Sequence, residues 1–291
     1  MKFKYLRPED IRTLQRFIFA PHSLVEGRLA GRHRSAAIGS STEFRDYRPY
    51  VPGDDLRMMD WRVYARTDRH YLRTHNQETN SICHIFVDSS ASMGFGARLT
   101  KLDYASFFAA ALAYLVTKSN DAVSLQIFDE EVRRFLAPGA SSLHLQELLH
   151  ALETNAPGRQ TALASALRRS LPLLVRRGTL VVLSDFFDDA PAIFDALSPY
   201  LHRGFEVHLF HLLDPDELDL PDKGLITFLD LENQGRVVAH TRAIRAAYRA
   251  AMQDHIRNLR GLAQRRRVRY TLARTDQTHL ELFNELAESR A

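Results

Sequence analysis

The sequence predicts an α/β fold with a doubly wound, mostly parallel sheet. Two apolar runs, residues 84–87 and 179–184, are continuous rather than alternating, which is typical of strands buried on both faces. From residue 81 onward, strands alternate with helical segments, and this order implies parallel strands joined by crossover helices. In such sheets ligands bind beyond the carboxyl ends of the strands, so we look for functional side chains there.

The remaining elements of this region follow from hydrophobic periodicity and from turn residues. Further strands are predicted at residues 122–128, 132–136, 205–212 and 268–273, with a hairpin formed by residues 225–231 and 236–239. Helices are predicted at residues 102–116, 142–152, 162–175, 191–201 and 241–264. We therefore assign residues 81–291 to one domain.

The first 80 residues have a different character and are assigned to an N-terminal accessory segment, residues 1–80. A helix is predicted over residues 8–19, because a proline and two acidic residues suit its first turn. The segment from Arg48 to Arg66 combines turn residues, mixed charges and the only tryptophan, Trp61. We expect Trp61 to anchor this segment as a structural clamp, and a partner-binding surface is the alternative.

Composition limits the classes of protein to consider. The 291 residues carry a net charge of +4, and no apolar run approaches the ~20 residues of a membrane-spanning helix. The N-terminus lacks the apolar core of a signal peptide, and Cys83 is the only cysteine, so a reducing cytoplasm is expected. Arginines are concentrated in residues 236–269 without a nucleic-acid-binding motif, so we interpret them as a solvated face and expect no nucleic acid partner.

Oxygen-bearing side chains follow both continuous strands. The first strand ends in the motif Asp88-x-Ser90-x-Ser92, and the second ends at Asp185. Thr161 stands just before a predicted helix, in a loop between them. Carboxylates and hydroxyls are hard ligands that suit Mg²⁺, with Mn²⁺ or Ca²⁺ as possible substitutes. The sequence therefore predicts a divalent cation site, against the alternative of an ordinary turn capped by Asp88.

These five residues also match a known motif. Asp88, Ser90, Ser92, Thr161 and Asp185 resemble the metal-ion-dependent adhesion site of von Willebrand factor A domains. The resemblance covers the chain from about residue 81 and implies a von Willebrand factor A-like, Rossmann-like fold. It also implies that the two serines coordinate the ion directly, and that Thr161 and Asp185 do so directly or through water. Such an ion keeps a vacant or water-filled position, and we expect a carboxylate of a protein partner to complete the metal shell.

A second resemblance concerns the accessory segment. The pattern Arg48-x-Tyr-x-Pro-Gly-Asp-Asp-x-Arg57-x-Met-Asp-Trp61 is similar to the signature of a bacterial family filed as domain of unknown function number fifty-eight. That family joins the segment to a von Willebrand factor A-like domain, and its genes often neighbour those of MoxR-type AAA+ ATPases. The resemblance implies an adaptor or co-factor of such an ATPase, acting in assembly or maturation of a protein complex.

Two classes of function are compatible with the predicted cation. The ion binds a protein partner without catalysis, or it activates water as in a metal-dependent phosphoester hydrolase. The second class requires a base or a second metal, and the sequence shows no recognisable histidine spacing, Walker A motif or nucleophile elbow. We therefore expect a binding module rather than an enzyme, with no catalytic residues.

Overall fold

The computed structural model describes residues 3–15, 17–20, 23–26, 44–49, 59–75, 82–96, 98–231 and 235–283. The chain forms two compact units, a larger one made of Met1–Gly27 and Ser81–Ala291 and a smaller one made of Arg28–Asn80. The first 27 residues thus group with the larger unit, whereas the sequence analysis placed them in the accessory segment. Across the described residues, every helix falls short of the length and apolarity that crossing a bilayer requires.

The N-terminal residues form a short helix followed by a hairpin. Helix α1 (Pro8–Leu14) ends earlier than expected, and strands β1 (Phe17–Ala20) and β2 (Ser23–Glu26) pair antiparallel. The predicted helix over residues 8–19 is therefore wrong beyond Leu14. Aromatic and β-branched residues at 17–19 favour a strand once a partner strand is available, and this pairing outweighs the helical pattern.

The smaller unit contains strand β3 (Phe44–Pro49), helix α2 (Trp61–Thr67) and strand β4 (Tyr71–His75), and the two strands pair antiparallel. Asp60 caps α2 by accepting hydrogen bonds from the backbone N–H groups of Arg62 and Val63. Trp61 is 60% exposed and meets Tyr64 edge-on, so it is not the buried anchor that the sequence analysis expected. The Pro-Gly-Asp-Asp turn at residues 52–55 lies outside the described residues.

From residue 82 the chain follows the predicted alternation. Its elements are β5 (Ile82–Asp88), α3 (Lys101–Lys118), β6 (Ala122–Phe128), β7 (Val132–Gly139), α4 (Ser142–Glu153), α5 (Leu163–Ser170), β8 (Thr179–Ser184), α6 (Ala190–His202), β9 (Glu206–Leu213), α7 (Pro215–Leu218), β10 (Leu225–Leu229), β11 (Arg236–His240), α8 (Thr241–Arg265) and β12 (Arg269–Arg274). Helix α5 stops short of the predicted residue 175, because Pro172 has no N–H to donate to the carbonyl of Arg168.

Six strands form the central sheet in the order β12-β9-β8-β5-β6-β7. All neighbours pair parallel except β7, which runs antiparallel to β6 at one edge. Side chains of α1, α3 and α4 form an apolar core on one face, and those of α5, α6 and α8 form a second core on the other. The predicted doubly wound, mostly parallel α/β sheet is confirmed.

The strand order reverses beside β5. The chain passes from β5 to β6 on one side and later returns to β8 on the other, so β5 and β8 flank the topological switch point. Ligands of open α/β sheets bind outside the carboxyl ends of the strands at this point. The sheet therefore directs attention to the residues that follow β5 and β8.

A buried histidine makes the stability of this sheet sensitive to acid. His84 on β5 is fully buried, with Nδ1 2.7 Å from Ser124 Oγ and Nε2 3.3 Å from the carbonyl oxygen of Arg176. Because a carbonyl only accepts, Nε2 carries the proton of the neutral ring. Burial disfavours the charged ring and lowers the pKa of His84 to about 4.

We predict that lowering the pH from 7 to 5 reduces stability by about 2 kcal/mol through His84 alone. The unfolded chain takes up a proton near the ordinary histidine pKa of 6.5, whereas the folded chain does so only near pH 4, so stability is lost as the pH falls between these values. Thermal melts of His84→Gln should show a flatter pH dependence over this range. The exposed His150→Gln is the matched control, and an equal slope in both variants would contradict the assignment.

Candidate functional site

Two fully buried aspartates lie at the carboxyl ends of the two strands that flank the switch point. Asp88 is the last residue of β5, and Asp185 comes directly after β8. The strands are parallel neighbours in which Val87 pairs with Leu183, so both aspartates lie at the same edge of the sheet. The hydrogen bonds of the sheet therefore fix two carboxylates close together in the protein interior.

The carboxylate of Asp88 is surrounded by donors. Its Oδ1 accepts a hydrogen bond of 2.8 Å from the backbone N–H of Ser90. Its Oδ2 accepts bonds from the hydroxyls of Ser184, at 2.6 Å, and Thr161, at 3.1 Å. The hydroxyl oxygens of Ser90 and Ser92 lie 3.0 Å apart. The structure thus joins four of the five residues that the sequence selected by direct hydrogen bonds.

The loop that carries Thr161 is fastened to the turn after β5. The N–H of Gly158 donates to the carbonyl of Ser89 at 2.6 Å, and the N–H of Ala91 donates to the carbonyl of Arg159 at 2.7 Å. A Cβ on Gly158 would lie 2.1 Å from a carboxylate oxygen of Asp129, so only glycine permits this close approach. These hydrogen bonds join the two loops and place Thr161 beside Asp88.

Asp185 has a different environment, because a lysine is its partner. The ammonium of Lys101, at the start of α3, lies 2.7 Å from Asp185 Oδ2 and 2.6 Å from Glu217 Oε1 on α7. The side chain of Lys101 is fully buried. The next residue, Phe186, has a φ of 52°, a left-handed conformation that is rare and costly for an aromatic residue. Strain at this position is typical of a functional site.

The surroundings of Asp88 disfavour its ionised form. Burial and the negative charge of Asp185 together raise the pKa of Asp88 above its usual range, although its hydrogen bonds oppose the shift. Burial lowers the pKa of Lys101, but the carboxylates of Asp185 and Glu217 outweigh burial and raise it overall. Asp185 therefore has the ammonium of Lys101 as its counter-charge, whereas the ionised form of Asp88 is unfavourable.

Three polar residues at this edge were not predicted from the sequence, namely Ser184, Lys101 and Glu217. Ser184 directly precedes Asp185, and its hydroxyl bonds to Asp88 rather than to its neighbour. A lysine in the first turn of an apolar helix opposes the helix dipole, and this is the one local signal that marks Lys101. Nothing in the local pattern marks Glu217, which lies 116 residues further along the chain.

Histidines near the site are packed rather than open. His211 on β9 is fully buried, and its Nδ1 lies 2.6 Å from the hydroxyl of Tyr270. Burial, together with the nearby His255, lowers the pKa of His211 to about 3, so the ring is neutral. Within the described ranges, no three His, Cys, Asp or Glu side chains converge as a metal-binding cluster. The chemistry at the edge therefore rests on two carboxylates and their hydroxyl neighbours.

The rim of the site is partly apolar and open to solvent. Phe95, three residues after Ser92, is 37% exposed, and Phe187, two residues after Asp185, is 42% exposed. The ammonium of Lys101 lies 5.2 Å from the centre of the Phe187 ring. Ser92 and Thr161 are only half-buried, in contrast to the aspartates. The hydroxyls thus form the accessible side of the site, beside two exposed aromatic rings.

Comparison with known proteins gives a family and little about function. The family model described as "Protein of unknown function DUF58" matches residues 46–258, which confirms the resemblance seen in the accessory segment. Uncharacterized proteins of Mycobacterium bovis and Mycobacterium tuberculosis are each 31% identical over 216 residues, covering 72% of this chain and 67% of theirs.

Solved structures are more distant. An aerotolerance-related membrane protein from Bacteroides fragilis is 16% identical, with a TM-score of 0.49 over 72% of this chain and 99% of its own. The conserved hypothetical protein BatB from Bacteroides thetaiotaomicron is also 16% identical, with a TM-score of 0.47 over 72% of this chain and 98% of its own. Neither likeness carries information about function.

We predict that Asp88→Asn raises the melting temperature in EDTA by a few degrees. The substitution removes a buried charge that Asp185 opposes, and the hydroxyls of Ser184 and Thr161 can rotate to accept from the new amide. Differential scanning calorimetry is the measurement. Asp129→Asn is the control, because that carboxylate lies 3.6 Å from Arg133 Nε, and its loss should not stabilise the chain. A melting temperature of Asp88→Asn at or below that of the parent would contradict the charge conflict.

Proposed function

We propose that this chain, which belongs to the DUF58 family, binds one divalent cation at the edge formed by β5 and β8 and uses it to hold a protein partner. The observation that carries the proposal is that the hydroxyls of two serines and a threonine lie beside a buried aspartate, with a second buried aspartate at the same edge of the sheet. The proposed ligands are Asp88, Ser90, Ser92, Thr161 and Asp185. In this proposal the chain is not an enzyme.

The donor set fits Mg²⁺, with Mn²⁺ or Ca²⁺ as substitutes. Two carboxylates and three hydroxyls are hard oxygen ligands, and fewer than six of them leave positions for water. Burial, and after it the charge of Asp185, raises the pKa of Asp88, and a cation bound between the two carboxylates would favour the ionised form of Asp88 against both effects. When bound, the ion would supply an electrophilic centre that accepts a carboxylate oxygen from another chain.

The surroundings of the ligands support a protein partner over a small substrate. Phe95 and Phe187 expose apolar surface on the chain segments that carry Ser92 and Asp185. Aromatic side chains supply much of the affinity at protein interfaces, and a single ion contact adds geometric selectivity. For the alternative, a phosphoester hydrolase, His211 is poorly placed as a base, because it is buried and bonded to Tyr270.

The identity of the partner rests on the family resemblance. We propose a MoxR-type AAA+ ATPase, with this chain as its adaptor or co-factor in the assembly or maturation of a protein complex, and with a carboxylate of the ATPase completing the metal shell. A cytoplasmic location belongs to the proposal. The single cysteine, Cys83, is fully buried, and burial raises its thiol pKa, so it would stay reduced and inert there.

We predict that calorimetric titration shows one Mg²⁺ site in the parent and none in Asp88→Ala or Asp185→Ala, because each loses a charged ligand. Thr161→Ala should bind about tenfold more weakly, since it loses one neutral ligand or its water contact. The exposed Thr154→Ala, on the C-terminal cap of α4, is the matched control and should bind like the parent. Equal Mg²⁺ affinity in the parent and both aspartate variants would refute the site.

We also predict that the ATPase co-purifies with the parent chain and that EDTA weakens the complex. Asp88→Ala and Thr161→Ala should lose the ATPase while Thr154→Ala keeps it, with circular dichroism confirming that all variants are folded. Incubation with generic phosphate esters and Mg²⁺ is run in parallel, and the expected result is no turnover. Equal recovery of the ATPase in every variant would mean that the partner binds elsewhere, and Asp88-dependent turnover would establish the hydrolase instead.

A further inference from the structure

Lys101 is an unusual residue to find at a cation site. Its side chain is fully buried, and its ammonium bridges Asp185 Oδ2 and Glu217 Oε1 at 2.7 Å and 2.6 Å. A buried ammonium must be paired, because leaving water without a counter-charge is very costly. The chain thus places a permanent cation of its own on a carboxylate that the proposed function assigns to the divalent ion.

The charges of this group leave room for one divalent ion. The ammonium of Lys101 contacts the carboxylates of Asp185 and Glu217, and Asp88 is a third carboxylate that interacts with Asp185. With all three carboxylates ionised, three negative charges and one positive charge leave two negative charges within the group. One divalent ion would neutralise them. The ion and the ammonium nevertheless repel each other, and both are attracted to Asp185 Oδ2.

Glu217 is held in place independently of the site. Its Oε2 accepts a hydrogen bond of 2.9 Å from the N–H of Asp214 in a capping box at the start of α7. Its backbone carbonyl accepts a bond of 2.8 Å from the hydroxyl of Tyr248 on α8. Asp219, just after α7, forms an ion pair with Arg245, which like Tyr248 lies on α8. Glu217 can therefore keep the ammonium when Asp185 turns to another cation.

We propose that Lys101 is an internal cation that competes with the divalent ion for Asp185, and that Glu217 retains the ammonium when the ion binds. This inference rests on the proposed function and adds a regulation of the same site. Without the ion, Lys101 neutralises Asp185 and keeps the edge folded. With the ion, the ammonium shifts toward Glu217, so occupancy of the site is linked to α7 and, through Tyr248, to α8.

A purely structural ion pair makes a different prediction from a competing cation. If Lys101 only supported the fold, its loss and the loss of Glu217 would both loosen the site and weaken Mg²⁺ binding. If Lys101 is a competitor, the two losses change Mg²⁺ affinity in opposite directions. Removing the ammonium frees Asp185 and strengthens Mg²⁺ binding, whereas removing the negative charge of Glu217 leaves the ammonium on Asp185 and weakens it.

The test is a calorimetric Mg²⁺ titration of the full chain as the parent, Lys101→Met, Lys101→Arg and Glu217→Gln, with melting temperatures measured in EDTA and in Mg²⁺. Lys101→Met should bind Mg²⁺ about tenfold more tightly or better, because a unit charge a few ångströms away has been removed. Its melting temperature should fall in EDTA and recover with Mg²⁺ more than that of the parent. Lys101→Arg keeps the charge and should stay near the parent, and Glu217→Gln should bind several-fold more weakly.

The outcomes separate this inference from the proposed function. If the parent binds Mg²⁺ through Asp88 but Lys101→Met binds it equally or more weakly, Lys101 is not a competitor, and the cation site stands. If only Lys101→Met binds Mg²⁺, the ammonium excludes the ion from the parent site, which supports the competition. Binding by none of the four chains would overturn both. If Lys101→Met does not fold even in Mg²⁺, Lys101→Gln takes its place, because it also removes the charge but keeps a polar group, with tighter binding than the parent in favour and equal or weaker binding against.

Discussion

The structure of the site depends on the burial of two like charges at the ends of adjacent strands. β5 and β8 lie in the middle of the sheet, between β6 and β9, so strand pairing fixes the backbone of Asp88 and of Ser184, the residue before Asp185. Apolar cores on both faces of the sheet stabilise this arrangement. The hydrophobic energy of the fold thus holds in place a pair of carboxylates that would separate in water.

Much of the fold was readable from the sequence because its strands and helices have strong periodic signals. The continuous apolar runs became β5 and β8, and the Ala- and Phe-rich segment became α3. Errors arose where a local pattern was ambiguous. Residues 17–19 continue a helical pattern, yet they form a strand because β2 offers a partner. The exposure of Trp61 could not be predicted either, because an aromatic residue in a charged segment is compatible with a buried position and with an exposed surface.

The five proposed ligands could be selected from the sequence because they follow strand ends and match a known motif. Lys101 and Glu217 could not, because their contacts to the site are set by tertiary packing across 84 and 116 residues of chain. A lysine at the start of a helix normally points into solvent, and only the neighbouring carboxylates make its burial tolerable. Local patterns identify ligands that sit on regular elements, whereas counter-charges that come from distant elements require the fold.

Burial gives Asp88 two opposite properties. As a free anion it is unfavourable, because it has left water and faces the charge of Asp185. As a ligand it is well prepared, because Ser90, Thr161 and Ser184 already orient both of its oxygens. A cation that binds between the aspartates would therefore relieve their unfavourable electrostatic interaction, and this relief would add to its affinity. The charge of Lys101 would then limit that affinity, because the ammonium repels a cation bound at Asp185, and a limited affinity suits a site that exchanges its ion or its partner.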